Sequence, residues 1–133
     1  MSSNLWLAFV AGTVICWGAY GPTIHEGQRD LGNPWKPILC VGGAYFVIAV
    51  LVPLAILLAQ GQGLQFTPRG TIFASIGGAL GALGAICIVG ALQTGGTPLY
   101  VMPLVFGCAP IVNVLVSSAL HPPKSAPSPW LYA

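Results

Sequence analysis

Four side chains of this sequence could carry acid–base chemistry: His25, Glu26, Asp30 and His121. Neighbouring His and Glu residues beside a membrane can move protons, but we favour solvated residues at an interface as the interpretation of His25 and Glu26. Catalysis needs acids, bases or nucleophiles held in a defined arrangement, and no recognised motif surrounds these four residues. The sequence therefore predicts a protein that is not an enzyme.

The cysteines are the remaining candidates for reactive chemistry. Cys16, Cys40, Cys87 and Cys108 show no CxxC pattern and no Cys/His spacing typical of a metal site. A buried free cysteine behaves as a small hydrophobic residue. We therefore expect four free thiols, no metal site, no disulfide and no cofactor.

Composition places these residues in a membrane protein. Of the 133 residues, 56% are hydrophobic and 5% are charged, whereas soluble domains carry about 25% charged residues. The mean hydropathy is +0.85. We expect an integral, multi-pass protein of a lipid bilayer, most simply the bacterial inner membrane. The net charge of +2 is too small to indicate a nucleic-acid partner.

The longest uncharged stretch shows how the chain crosses the bilayer. Residues 71–120 contain no Asp, Glu, Lys, Arg or His and are interrupted only at residues 93–98. A hydrocarbon core about 30 Å thick needs roughly 20 apolar residues of helix, and helices satisfy their own backbone groups in lipid. The whole chain (1–133) is predicted to be one all-α transmembrane bundle of four spans, at about 5–25, 35–59, 70–93 and 98–120.

Prolines and glycines predict where these spans are irregular. The segment 16–22 either breaks the first helix or marks its end near the interface, and a loop is expected at 26–37. Pro53 should kink the second span, and Thr67 with Pro68 should start the third. A Pro-rich tail at 121–129 is followed by residues that suit the start of a truncated fifth helix.

A row of small residues predicts the packing face of the third span. Small residues four positions apart let helix backbones approach closely in lipid. Packing is the role we favour, with a backbone that faces substrate as the second interpretation, and the third span should be the most enclosed. The row comprises Gly77, Gly78, Gly81, Ala82, Gly84 and Ala85.

The flanking charges do not select an orientation. Arg29 and Lys36 lie on one side of the predicted bundle, and Arg69 and Lys124 lie on the other. The positive-inside rule counts such residues in short loops. The count is two against two, so either orientation agrees with the sequence.

Several segments together resemble one repeat of the drug/metabolite transporter superfamily, of the EamA-like type. They are Trp17-Gly18, the run 78–84, the segment 91–98, and the segments 101–104 and 109–112. The resemblance covers four of the usual five spans. It implies two repeats in inverted orientation with substrate between them at the midplane, consistent with the general rule for transporters, and hence a homodimer or heterodimer of half-size subunits. The related small multidrug resistance proteins carry a Glu in the first span for proton-coupled cation export. Ile15 and Cys16 occupy that depth here, which does not favour that activity.

Two functions follow as hypotheses. The first is a half-size transporter that moves a small, neutral or weakly polar metabolite by alternating access. Aromatic side chains with polar tips suit such a site, and Asn113 has a helix–helix hydrogen bond as its alternative role. The second is a non-transporting accessory subunit of a larger membrane complex, because transport routes usually keep an intramembrane ionisable residue and none is present. The predicted substrate-binding residues are Trp17, Tyr20, Tyr45, Tyr100 and Asn113.

Overall fold

A computed structural model describes residues 5–121 of the chain. Each of the four predicted spans is long and apolar enough to cross a membrane. The predicted all-α architecture with four spans is therefore confirmed, and residues 5–121 contain no strand. The tail after His121 and the predicted fifth helix lie outside the described residues. In chain order the elements are α1 (Leu5–Leu31), α2 (Trp35–Phe46), a π-helix (Val47–Leu51), α3 (Val52–Ala59), α4 (Pro68–Gln93) and α5 (Pro98–Leu120).

The first span is longer than predicted. α1 neither breaks nor ends around Pro22 but continues to Leu31, so both interpretations of segment 16–22 and the predicted loop at 26–37 are wrong. Its 27 residues extend about 40 Å at 1.5 Å per residue, more than the hydrocarbon core of about 30 Å. The charged residues therefore continue the helix beyond the core, where water solvates them. Gly32, at φ +61°, ends the helix.

The second span is continuous but contains a π-helical segment. The π-helix lies between α2 and α3, immediately before Pro53. A proline has no N–H to donate to the carbonyl four residues earlier, here that of Ala49. A π-helical turn is one of the known irregularities of apolar helices. The kink predicted at Pro53 stays a prediction.

The turn between α4 and α5 has a defined hydrogen-bond pattern. Gly95 adopts φ +103°, and the Gly96 N–H donates to the Ala91 carbonyl at 2.9 Å. This is the Schellman arrangement that closes a helix at a left-handed residue. At the other end of α4, the Gly70 N–H donates to Thr67 Oγ1 at 3.3 Å, so the predicted cap at Thr67 is confirmed.

The helices pack at one end of the bundle only. Its core joins the second half of α1 to the end of α4 and the start of α5. Within residues 5–121, α3 approaches no helix other than the π-helix that precedes it. We call the well-packed region the plug; it comprises Ile24, Ile88, Val89, Leu92 and Met102.

Candidate functional site

A cavity of about 1150 Å³ lies between the helices on one side of the plug. α1, α2 and α4 provide most of its walls, and Val101 and Val105 of α5 complete them. Pockets for small organic molecules commonly have volumes of about 300–1,000 Å³. The cavity is therefore large enough for a small organic solute, and it is the candidate site.

The plug forms one wall of this cavity, which runs alongside it to Leu31 at the end of α1. Val89 is 2% exposed, and Ile88 and Met102 are buried beside it. Met102 fits against Gly21 so closely that a Cβ added to Gly21 would overlap its side chain. The glycine therefore provides a notch in α1 into which α5 inserts.

One hydrogen bond ties α1 to α4 at the plug. Gln28 Nε2 donates to the Val89 carbonyl at 3.0 Å. An interhelical hydrogen bond inside a membrane contributes about 0.6–2 kcal/mol. This bond holds the end of α1 against the end of α4, where the plug is formed.

Aromatic rings form the α1 wall of the cavity. The Trp17 ring centroid lies 6.5 Å from that of Tyr20 and 6.2 Å from that of Phe106 in an edge-to-face arrangement. Trp17 precedes Glu26 by nine residues, which is about 14 Å of helix. Half of the hydrocarbon core is about 15 Å, so Trp17 lies near the middle of the bilayer.

The polar atoms of the cavity are few and uncharged. The Tyr20 hydroxyl is buried and has no hydrogen-bond partner among the described residues. The Thr23 hydroxyl donates to the Ala19 carbonyl at 2.8 Å. Of the residues in the described range 5–121, none that lines the cavity carries a formal charge. The site can therefore offer hydrogen bonds and ring contacts but no ion pair.

Three of the five predicted substrate-binding residues meet at this cavity. Trp17, Tyr20 and Tyr45 line it. Tyr100 lies outside it and is 67% exposed, and Asn113 is also outside and exposed. These two residues lie on parts of α5 that face away from the other helices, so a contact with this cavity would need another chain or another conformation.

The predicted packing row of α4 meets little of the chain itself. Cβ atoms built on Gly77, Gly78, Gly81 or Gly84 would find no atom of the described residues within 4 Å. Ala82 is exposed, whereas Ala85 is buried at the edge of the plug. Gly81 and Gly84 line the cavity, in line with the second interpretation of the row. Packing through this face stays a prediction about contacts with another chain.

Sequence reasoning missed the cysteines as cavity residues. Cys16 of α1, Cys40 of α2 and Cys87 of α4 all line the cavity, whereas Cys108 does not. The signal in the sequence was weak: Cys16 precedes Tyr20 by one helical turn and so shares its face. Among residues 5–121, no three His, Cys, Asp or Glu side chains are grouped to hold a metal ion.

A smaller cavity of about 350 Å³ lies on the other side of the plug. His25, Gln28 and Asn33 are among its lining residues. Glu26 does not pair with His25; it accepts a hydrogen bond from Arg29 Nη1 at 3.3 Å, and both side chains are exposed. The Gln28 Oε1 atom is buried without a partner among the described residues.

Comparisons with models of protein families, with curated proteins and with solved structures found no match to this chain.

Proposed function

We propose that this chain is a half-size transporter of the drug/metabolite transporter type. Its dimer would move a small, neutral or weakly polar metabolite across the bacterial inner membrane by alternating access. The single observation that carries the proposal is the cavity of about 1150 Å³ between the helices, whose lining residues in the described chain carry no formal charge and which has the plug as one wall.

A carrier needs a site that opens to one side of the membrane at a time. The plug provides lining residues to both cavities, Ile88 to the large one and Leu92 to the small one. Opening the plug would require α5 to leave the Gly21 notch and α1 to release its hydrogen bond to Val89. Both contacts are local and modest in energy, as a reversible gate requires.

The position of the site also supports transport. Trp17 lies near the bilayer centre, and substrate sites of secondary transporters lie near the midplane between repeats. The α4 face around Gly77 and Gly78 meets no other part of the described chain. A second subunit packed there would enclose the cavity laterally and shield it from lipid.

Reconstitution tests the proposal. The purified chain in liposomes should accumulate at least one solute of a panel of small neutral metabolites. Trp17→Ala should reduce the flux, since it removes a ring from the cavity wall, whereas Trp35→Ala, at an exposed tryptophan outside the cavity, should not. Absence of flux for the whole panel, with an intact dimer, would contradict the proposal.

A second candidate is an accessory subunit of a larger membrane complex. The observation that favours it is the isolation of α3, which approaches only the π-helix among residues 5–121. A helix without neighbours in its own chain suits docking to a large partner. Purification in a gentle detergent separates the candidates: a stoichiometric large partner supports the accessory role, and an isolated dimer supports the transporter.

A further inference from the structure

Tyr20 lines the cavity, and its hydroxyl is buried without a hydrogen-bond partner among the described residues. We propose that the cavity binds uncharged, ring-containing organic molecules through a hydrogen bond to Tyr20, with Trp17 in contact with the ring. This substrate class rests on the transporter function proposed above, because it defines what the same site would carry.

The hydrogen-bond step follows from the cost of an unpaired polar group. A buried hydroxyl without a partner loses about 1–3 kcal/mol relative to water. The Tyr20 hydroxyl is in this condition, while the Thr23 hydroxyl is already bonded to a carbonyl. Because the hydroxyl is closed to water in this conformation, a ligand would reach it by a turn of the Tyr20 side chain into the cavity. A ligand with a hydroxyl or carbonyl group would then satisfy it, and a pure hydrocarbon would not.

The ring preference follows from the walls. Trp17 contacts Tyr20 and Phe106 and is thereby held in place. Gly81 and Gly84 line another wall and present no side chain, and a Cβ on either would meet open space. Aromatic faces prefer offset or edge-to-face contact with other rings. A flat ring can enter beside the glycines and reach the Trp17 ring.

The exclusion of charged solutes follows from the missing counter-ion. The cavity-lining residues of the described chain carry no formal charge. Moving an ion from water into an apolar site without a partner is expensive. Anions, cations and zwitterions should therefore bind weakly compared with a neutral molecule of the same shape.

Three compounds with the same fused ring system test these steps on the full chain in nanodiscs. They are 2-naphthol, which is neutral with a hydroxyl; naphthalene, which lacks the hydroxyl; and 2-naphthoate, which is an anion. The readout is saturable quenching of tryptophan fluorescence, corrected with empty nanodiscs. We expect 2-naphthoate to bind at least about ten-fold more weakly than 2-naphthol.

Matched variants isolate the hydroxyl. Tyr20→Phe keeps the ring and should raise the Kd of 2-naphthol about three- to ten-fold, as expected for one hydrogen bond, without changing that of naphthalene. Thr13→Val removes a hydroxyl of α1 that is bonded to the Phe9 carbonyl and lies outside the cavity, so it should change neither value. Equal 2-naphthol binding by the wild type and Tyr20→Phe, or equal binding of 2-naphthoate and 2-naphthol, would overturn the inference.

The same solutes separate this inference from the transporter proposal. Tyr20-dependent binding of 2-naphthol without flux in liposomes would retain the site and reject transport. Flux of neutral metabolites with no dependence of 2-naphthol binding on Tyr20 would retain transport and reject the proposed recognition.

Discussion

The two ends of the bundle are built from the same four spans, yet only one is packed. At the plug, aliphatic side chains of α1, α4 and α5 interlock, and Met102 occupies the notch at Gly21. In the other half, Gly77 and Gly78 of α4 meet no other part of the described chain. The difference teaches that a small residue permits another helix to come close but does not itself bring the two helices together. Packing also requires a side chain of matching shape on the neighbouring helix to fill the space.

This asymmetry also connects the fold to the proposed function. The packed side chains form one wall of the cavity, and α1, α2 and α4 provide most of the others. The predictions below test whether the two ends differ as much in energy as they do in geometry.

The largest difference in stability should separate two isoleucines of α4. Ile88 is 7% exposed in the plug, and Ile76 is 51% exposed in the open half. Ile88→Ala should lower the free energy of unfolding by about 2–5 kcal/mol, because it leaves a cavity in a packed region. Ile76→Ala should change it by less than about 0.5 kcal/mol. Unfolding by SDS titration in mixed micelles measures the free energy of unfolding of both variants. If the two substitutions lower it equally, the two ends of the bundle do not differ in packing energy.

Two glycines of α1 provide a subtler comparison. Gly21→Ala should overpack against Met102 at a cost of about 1–3 kcal/mol, partly offset by about 1 kcal/mol of helix propensity. Gly12 has no neighbour within 4 Å of an added Cβ, so Gly12→Ala should stabilise the protein through helix propensity alone, by about 1 kcal/mol. The same titration compares the variants. A Gly21→Ala protein as stable as the Gly12→Ala protein would show that α5 does not depend on the notch.

The smallest effect is expected for the bond between α1 and α4. Gln28→Ala removes the donor to the Val89 carbonyl and should cost about 0.6–2 kcal/mol of stability. Gln60→Ala, at the exposed end of α3, is the control and should be neutral. If the two variants are equally stable, the hydrogen bond does not contribute to the plug.

Much of the fold could be predicted from the sequence, because lipid leaves few alternatives. The uncharged stretch 71–120 and its central turn specify two helices, and the observed α4 and α5 match them closely. The end of α1 was predicted wrongly because the glycines and proline of 16–22 were interpreted as a break or an end of the helix, and the segment with the charged residues after His25 as a loop. Outside the hydrocarbon core such residues are solvated on a continuous helix, and Glu26 pairs with Arg29 one turn later.

The site was predictable only in part. Trp17, Tyr20 and Tyr45 could be chosen by residue type, and they line the cavity. The three cysteines that line the same cavity could not be chosen in this way. Cys16, Cys40 and Cys87 look like ordinary apolar positions in their spans. The Gly21–Met102 contact joins residues far apart in sequence. Such pairs depend on how the helices rotate about their axes, which a pattern within one helix does not determine.

Thiol accessibility tests the central claim most directly, since three cysteines line the cavity and Cys108 does not. Four variants each retain one cysteine, and Gln62→Cys in a cysteine-free chain marks the side of the α3–α4 loop. A membrane-impermeant maleimide is added to spheroplasts or to inverted vesicles. Only thiols in contact with water ionise to the reactive thiolate. Labelling rates from each side report where the cavity opens.

The account predicts that Cys16, Cys40 and Cys87 are all labelled from one and the same side of the membrane, at least about ten-fold faster than Cys108. Labelling of these three thiols equally from both sides, or at the slow rate of Cys108, would contradict a water-accessible cavity that opens to one side of the membrane.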